Sequence, residues 1–144
     1  MFLDVRCDPK TKALEVAAYA KPNQIFHFKA TQSTPLSWQA RKSVVDARIG
    51  TAKAVRFADI DNNGQPDLVA TNEQAKNGRT GVFWFPLGKL RKPTITQISD
   101  ISGSKGVKFD RIETVDLDDD GDLDVITCEE VDNLGVIWYE NPIN

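Results

Sequence analysis

Two nine-residue stretches repeat one arrangement of oxygen-bearing side chains: Asp59-Ile-Asp-Asn-Asn-Gly-Gln-Pro-Asp67 and Asp116-Leu-Asp-Asp-Asp-Gly-Asp-Leu-Asp124. Both fit Asp-x-Asp-x-Asx-Gly-x-x-Asp. A hard cation such as calcium takes about six to eight oxygens at roughly 2.3–2.6 Å, so the chain must wrap around it. Side-chain oxygens at alternate positions do this: Asp59, Asp61 and Asn63 in one loop, Asp116, Asp118 and Asp120 in the other. Gln65 and Asp122 are placed to offer backbone carbonyls, and the carboxylates of Asp67 and Asp124 to close the sphere. Gly64 and Gly121 stand at the bend, where a β-carbon is expected to clash. The spacing therefore predicts two calcium sites. The second is expected to be the tighter, with four ligand carboxylates against three and the Asn63 amide.

Two other readings compete. Asp, Asn and Gly are ordinary turn residues, so each stretch alone could be a solvated hairpin turn; recurrence at one register argues against that. An EF-hand begins the same way but needs a bidentate Glu at position 12 followed by a helix. Ala70 and Thr127 stand there, inside strand-like sequence.

The elements that must position these loops form a repeat. The loops start 57 residues apart, each followed by a polar stretch and an aromatic strand, Gly81-Val-Phe-Trp-Phe85 and Gly135-Val-Ile-Trp-Tyr139. A fainter upstream copy has Ile25-Phe-His-Phe28 as third strand, Leu14–Tyr19 as second and Ser37–Val45 as fourth. Its loop, Val5-Arg-Cys-Asp-Pro-Lys-Thr-Lys-Ala13, lacks the ligand spacing. In the middle unit, alternation marks strands at Ala54–Ala58, Asp67–Thr71, Gly81–Phe85 and Pro93–Ile98. Asn77-Gly78 and Asn133-Leu-Gly135 are turn signals between second and third strands. Only residues 44–53 carry a weak helical pattern. Four strands in each ~40–60-residue unit is the pattern of a propeller blade. The expectation is an all-β chain of about three four-stranded antiparallel blades, one segment over 1–144, with repeats at roughly 1–48, 49–105 and 106–144, the last lacking its fourth strand.

The words Asp-Ile-Asp-Asn-Asn-Gly-Gln-Pro-Asp-Leu-Val and Asp-Leu-Asp-Asp-Asp-Gly-Asp-Leu-Asp-Val-Ile resemble the FG-GAP/VCBS repeats of integrin-α-like calcium-binding propellers. Gly135-Val-Ile-Trp-Tyr-Glu-Asn-Pro142 is similar to the third strand of the bacterial members. The resemblance implies a seven-bladed propeller, extracellular calcium sites, and binding to protein or carbohydrate. Some relatives are lectins, and some are attached to lyase or hydrolase domains. Two departures stand out: the upstream loop has lost its ligands, and His27 replaces the repeated tryptophan. No Phe-Gly-Gly-Ala-Pro stretch occurs, so an integrin-type ligand face is not implied.

Composition bounds the rest. The 144 residues carry 18 basic and 21 acidic side chains, net -3, which predicts no general affinity for nucleic acid. Nine of the acids lie in the two loops; the remainder, 18 basic against 12 acidic, is +6. No apolar run has the ~18–20 residues that span a bilayer. Met1-Phe-Leu-Asp-Val-Arg has no signal-peptide pattern; the calcium reading nonetheless favours an extracellular, surface or periplasmic setting. Cys7 and Cys128 could form one bridge or remain free thiols.

Catalytic chemistry has little support. His27 reads as a packing residue. Glu73 and Glu130, with Glu129 adjacent, are equivalent by repeat and read as rim residues rather than a glycosidase pair. Trp84, Trp138, Phe83, Phe85 and Tyr139 read as interblade core, Trp38 as a less committed aromatic, and Lys89, Arg91 and Lys92 as a solvated cluster. The expected function is thus a non-catalytic calcium-binding propeller module for a protein or glycan ligand. The alternatives are the propeller part of a polysaccharide lyase or hydrolase, and a self-assembling structural unit. Three blades do not close a ring of four to eight. Further blades of a longer chain, assembly with a second copy, or an open arc would each resolve that.

Overall fold

The computed structural model describes residues 2–31, 34–45, 48–91, 93–99 and 106–142. The strands are β1 (Leu3–Cys7), β2 (Leu14–Ala20), β3 (Gln24–Ala30), β4 (Trp38–Val44), β5 (Thr51–Ala58), β6 (Asp67–Glu73), β7 (Val82–Pro86), β8 (Thr96–Gln97), β9 (Phe109–Val115), β10 (Asp124–Glu129) and β11 (Gly135–Tyr139). They form three antiparallel sheets ordered β1-β2-β3-β4, β5-β6-β7-β8 and β11-β10-β9. Within the described residues the only helical element is a 3₁₀ turn, Leu87–Lys89.

Register makes the three sheets equivalent. Ala17 faces His27, Val69 faces Trp84, and Ile126 faces Trp138. Two residues before these lie Glu15, Asp67 and Asp124, opposite Arg6, Ala58 and Val115 on the first strand of each sheet. The second and third sheets also share a bulge, between Ala52 and Ala54 and between Thr127 and Glu129.

Because strand side chains alternate between faces, each sheet has two faces to cover. The first sheet packs on the second through Ala17, Tyr19 and Ile25 against Val55, Leu68, Ala70, Phe83 and Phe85. The second sheet's other face, with Ala54, Ala58, Val69 and Val82, packs on Phe109, Ile112 and Val125 of the third; Trp84, Ile137 and Tyr139 are partly buried against that cluster. Covered on both sides, β6 is buried along nearly its whole length. Phe83 and Phe85 are fully buried, each worth about 1.5–3 kcal/mol of side-chain burial. The Tyr19 hydroxyl, also buried, donates to Asn72 Oδ1 at 2.8 Å.

The structure corrects some expectations and decides others that the sequence leaves open. Residues 44–53 hold no helix among those described; they run from the end of β4 through a bridge at Ile49 into β5. The segment Pro93–Ile98 pairs only at Thr96 and Gln97, so Pro93 precedes the strand. β1 was hidden in the sequence by the polar residues Asp4 and Arg6. Trp138 is not core: it is 44% exposed, because among the described residues no sheet lies against the face of β11 it occupies. Cys7 and Cys128 are both free.

Candidate metal centre

The two acidic loops close β5–β6 and β9–β10 with the same hydrogen bonds, 57 residues apart. In the first, Asn63 and Gly64 N–H donate to Asp59 Oδ1 and Oδ2 (3.0 and 2.8 Å), Gln65 N–H to Asn63 Oδ1 (2.8 Å), and Ile60 N–H to Asp67 Oδ2 (2.9 Å). In the second, Asp120 and Gly121 N–H donate to Asp116 (3.1 and 3.0 Å), Asp122 N–H to Asp120 (3.2 Å), and Leu117 N–H to Asp124 Oδ2 (3.0 Å). Each position-1 carboxylate therefore gathers the loop around itself. Asn62 and Asp119 adopt positive φ (52° and 64°), as do Gly64 and Gly121 (78° and 96°). A β-carbon on either glycine would meet nothing within 4 Å. The glycines serve the left-handed backbone, not a tight contact as expected.

Carboxylate oxygens of Asp59, Asp61 and Asp67 lie within 4.8 Å of one another, as do those of Asp116, Asp118 and Asp120. Asn63 is exposed and already accepts from Gln65, and the Gln65 side chain is exposed and donates to Gly64 O. Asp124 stands outside its loop's cluster, because its second oxygen accepts from Asn141 N–H at 2.8 Å. In the first loop the matching oxygen, Asp67 Oδ1, is buried without a donor, and so is Asp61 Oδ1. The buried side chain of Asp122 leaves both of its oxygens without donors. Buried carboxylate oxygens without donors are costly, and hard oxygens converging in threes fit a divalent cation such as calcium. Such an ion would supply the positive charge that these oxygens lack.

Electrostatics follow the geometry. Burial pushes the Asp67 carboxyl up to about 6, and the charges of Asp61 and Asp59 add to this while the Ile60 N–H opposes it. Burial and neighbouring Asp120 and Asp124 also push Asp118 and Asp122 upward. Burial would raise Asp124 too, but the Asn141 and Leu117 N–H groups outweigh it and hold the carboxyl low.

The first sheet meets the same problem differently. Glu15, in register with Asp67 and Asp124, is 2% exposed. Its carboxylate takes Lys29 Nζ at 2.8 Å and Arg6 at 2.6 Å. Lys29 also reaches Asp8 Oδ2 at 2.9 Å, and Asp8 Oδ1 accepts from the N–H groups of Lys10 and Thr11. Burial pushes Glu15 up, yet the Lys29 and Arg6 contacts leave it below its ordinary value. An ammonium thus sits between two carboxylates where the other units gather three.

The remaining candidates have structural partners. His27 is buried with its ring edge-on to Phe57, 6.1 Å between centroids, and burial lowers its pKa against the pull of Glu15. Glu73 pairs with Lys21 and Lys53, and Glu130 with Lys108. Buried Glu129 accepts from the N–H groups of Val107, Lys108, Val131 and Asp132, shaping the turn before β11. Trp38 and the side chains of Lys89 and Arg91 are exposed, while Lys92 lies outside the described residues. Sequence reasoning missed Asn141. Its side-chain amide donates to Ile60 O at 2.8 Å and Leu123 O at 3.2 Å, tying the two loops together. Its only sequence signal was its place in the Glu-Asn-Pro word after β11.

Comparison with curated proteins and with solved structures found no match. Residues 59–127, from the start of the first acidic loop to β10, match the model of the FG-GAP-like repeat, which supports the FG-GAP family for the part of the chain that holds both loops.

Proposed function

We propose that this chain is a non-catalytic blade module that binds two calcium ions, uses them structurally, and presents a ligand-binding surface for protein or carbohydrate outside the cytoplasm. The observation that carries the calcium reading is the pair of loops with one shared hydrogen-bond framework, each holding buried carboxylate oxygens without donors. Calcium there would cancel carboxylate repulsion and stiffen the hairpins between first and second strands. Extracellular calcium modules work at affinities of about 10⁻⁴–10⁻³ M, which suits exposed, partly preformed loops. The three blade-like sheets fit a propeller that is completed by further blades.

The ligand surface we favour is a groove of about 480 Å³ between the second and third sheets, where Trp84, Ile98 and Tyr139 give apolar wall and Thr96, Gln97 and Asn141 give polar groups. Such a mixture suits the face and edge of a sugar ring. FG-GAP-like repeats are in general non-catalytic. Glu73 and Glu130 are bound to lysines, which supports a rim role for them over that of a glycosidase acid–base pair. Thermal unfolding in EDTA and in millimolar calcium tests the proposal. A substantially higher melting temperature with calcium is expected, and an unchanged one refutes it. A glycan array and polysaccharide-cleavage assays then separate binding from catalysis.

A further inference from the structure

Among the described residues the two outermost sheet faces are uncovered, and each has a counterpart inside the chain. On the first sheet Phe26 and Phe28 stack with centroids 6.2 Å apart and 11° between planes, only half-buried. At the same register in the second sheet Phe83 and Phe85 stack at 6.3 Å and 18°, fully buried under the first sheet. Leu3, Val5 and Leu14, exposed by 61%, 52% and 46%, extend the uncovered face. On the third sheet, alternation along β11 turns Ile137 and Tyr139 inward and Val136 and Trp138 outward, the latter 77% and 44% exposed. Their equivalents in the second sheet, Val82 and Trp84, are packed against the third.

Inside the chain, a face of the Val82–Trp84 type always meets a face of the Phe83–Phe85 type from the next sheet. The free face with Val136 and Trp138 is of the first type, and the free face with Phe26 and Phe28 is of the second. We infer that two copies of this chain join head to tail, the Val136–Trp138 face of each seated on the Phe26–Phe28 face of the other. The contact continues the sheet-on-sheet packing that already joins the three sheets. Apolar faces of this kind are rarely left open to water. A two-fold axis makes both contacts at once and gives six sheets, within the about four to eight that close a propeller. One chain carries both halves of the contact, so a second copy is a sufficient partner. The inference uses the apolar faces alone and stands apart from the calcium reading.

Sedimentation or light scattering at high micromolar concentration, with calcium and with EDTA, tests this. The expected mass is twice the 16.0 kDa of the chain. Two exposed-face variants then probe the geometry: Val5→Glu with Leu3→Glu on the first sheet, and Val136→Glu with Trp138→Glu on the third. Each alone is expected to be monomeric with the circular dichroism of the parent chain, while their mixture regains a dimer through the one intact pair of faces. A monomeric parent chain overturns the inference. A variant that stays dimeric alone, or a mixture that stays monomeric, overturns the head-to-tail geometry. Loss of calcium binding with retained dimerisation would refute only the metal proposal.

Discussion

Replacing Asp67 by Asn should stabilise the protein in chelator and destabilise it in calcium. The carboxyl of Asp67 is fully buried, with one oxygen bonded to Ile60 N–H and the other without a donor beside Asp61. Its pKa is pushed from 3.8 to about 6. A carboxyl raised by folding holds a proton in the native state that the unfolded chain releases. Metal-free stability therefore falls as pH rises between about 4 and 6, and the full cost is present above that. Two pKa units correspond to about 3 kcal/mol. Asn keeps an oxygen for Ile60 N–H, turns an amide N–H toward the Asp59 and Asp61 carboxylates, and removes the charge. Subtracting about 1 kcal/mol for the weaker neutral hydrogen bond leaves a net gain of about 2 kcal/mol at pH 7.5. For a chain of this size that is roughly 4–10 °C in melting temperature.

If the loops hold calcium as proposed, the sign should reverse in its presence. At 100 times its dissociation constant an ion contributes about 2.7 kcal/mol per site, and the variant loses the share of the first loop. Four melting curves followed by circular dichroism, parent and variant in EDTA and in calcium, should therefore cross. At pH 4, with Asp67 protonated in the parent chain, the chelator difference should shrink toward zero. A variant less stable than the parent under all conditions would refute the claim that a buried charge is the cost. A variant more stable under all conditions would refute Asp67 as a ligand.

Asp124→Asn should behave oppositely in chelator. Both of its oxygens accept from backbone N–H groups and its pKa is held low, so the neutral amide loses about 1–2 kcal/mol, measurable by urea unfolding with EDTA. Lys29→Met removes the ammonium between Glu15 and Asp8 and should cost about 1–3 kcal/mol at pH 7. Because Lys29 helps depress Glu15 below 4.5, this loss is present above that pH and fades as pH falls through the lower folded value; a pH series of unfolding midpoints checks it. Asn141→Ala deletes the amide bonds to Ile60 and Leu123, costing about 1–2 kcal/mol. Calcium titration by calorimetry should show both sites weakened, since the amide touches both loops.

The acidic loops and most strands were legible because their signals are local. Asp and Gly spacing encodes a turn of defined length, and β2, β3, β6 and β7 lie within two residues of their expected bounds because apolar alternation runs through them. What could not be read depends on register between distant segments. Glu15 looks like an ordinary strand residue until pairing places it at the position of Asp67 and folds Lys29 and Arg6 onto it. Asn141 is silent until its strand lies beside both loops, 81 residues from Ile60. The exposure of Trp138 is a property of the neighbouring sheet, not of the β11 residues, which read like those of β7.

A carboxylate at the start of the second strand recurs in all three units as Glu15, Asp67 and Asp124. In the two acidic loops it takes the N–H of Ile60 or Leu117 and so anchors the loop to the sheet. That anchor puts a negative charge in a buried place, and each such charge calls for a compensating group. The first sheet has Lys29 and Arg6 within its own fold. The third gives Asp124 a full set of backbone donors and leaves the buried charge without donors on Asp122. The second leaves Asp67 itself short of a donor. Calcium, on this reasoning, should matter most to the second and third sheets and least to the first. Hydrogen exchange makes that a spatial expectation. Addition of calcium should raise protection around 59–67 and 116–124 and leave Leu14–Ala20 unchanged. Equal gains in all three sheets would mean that the ions act on global stability instead of on the loops that gather the charge.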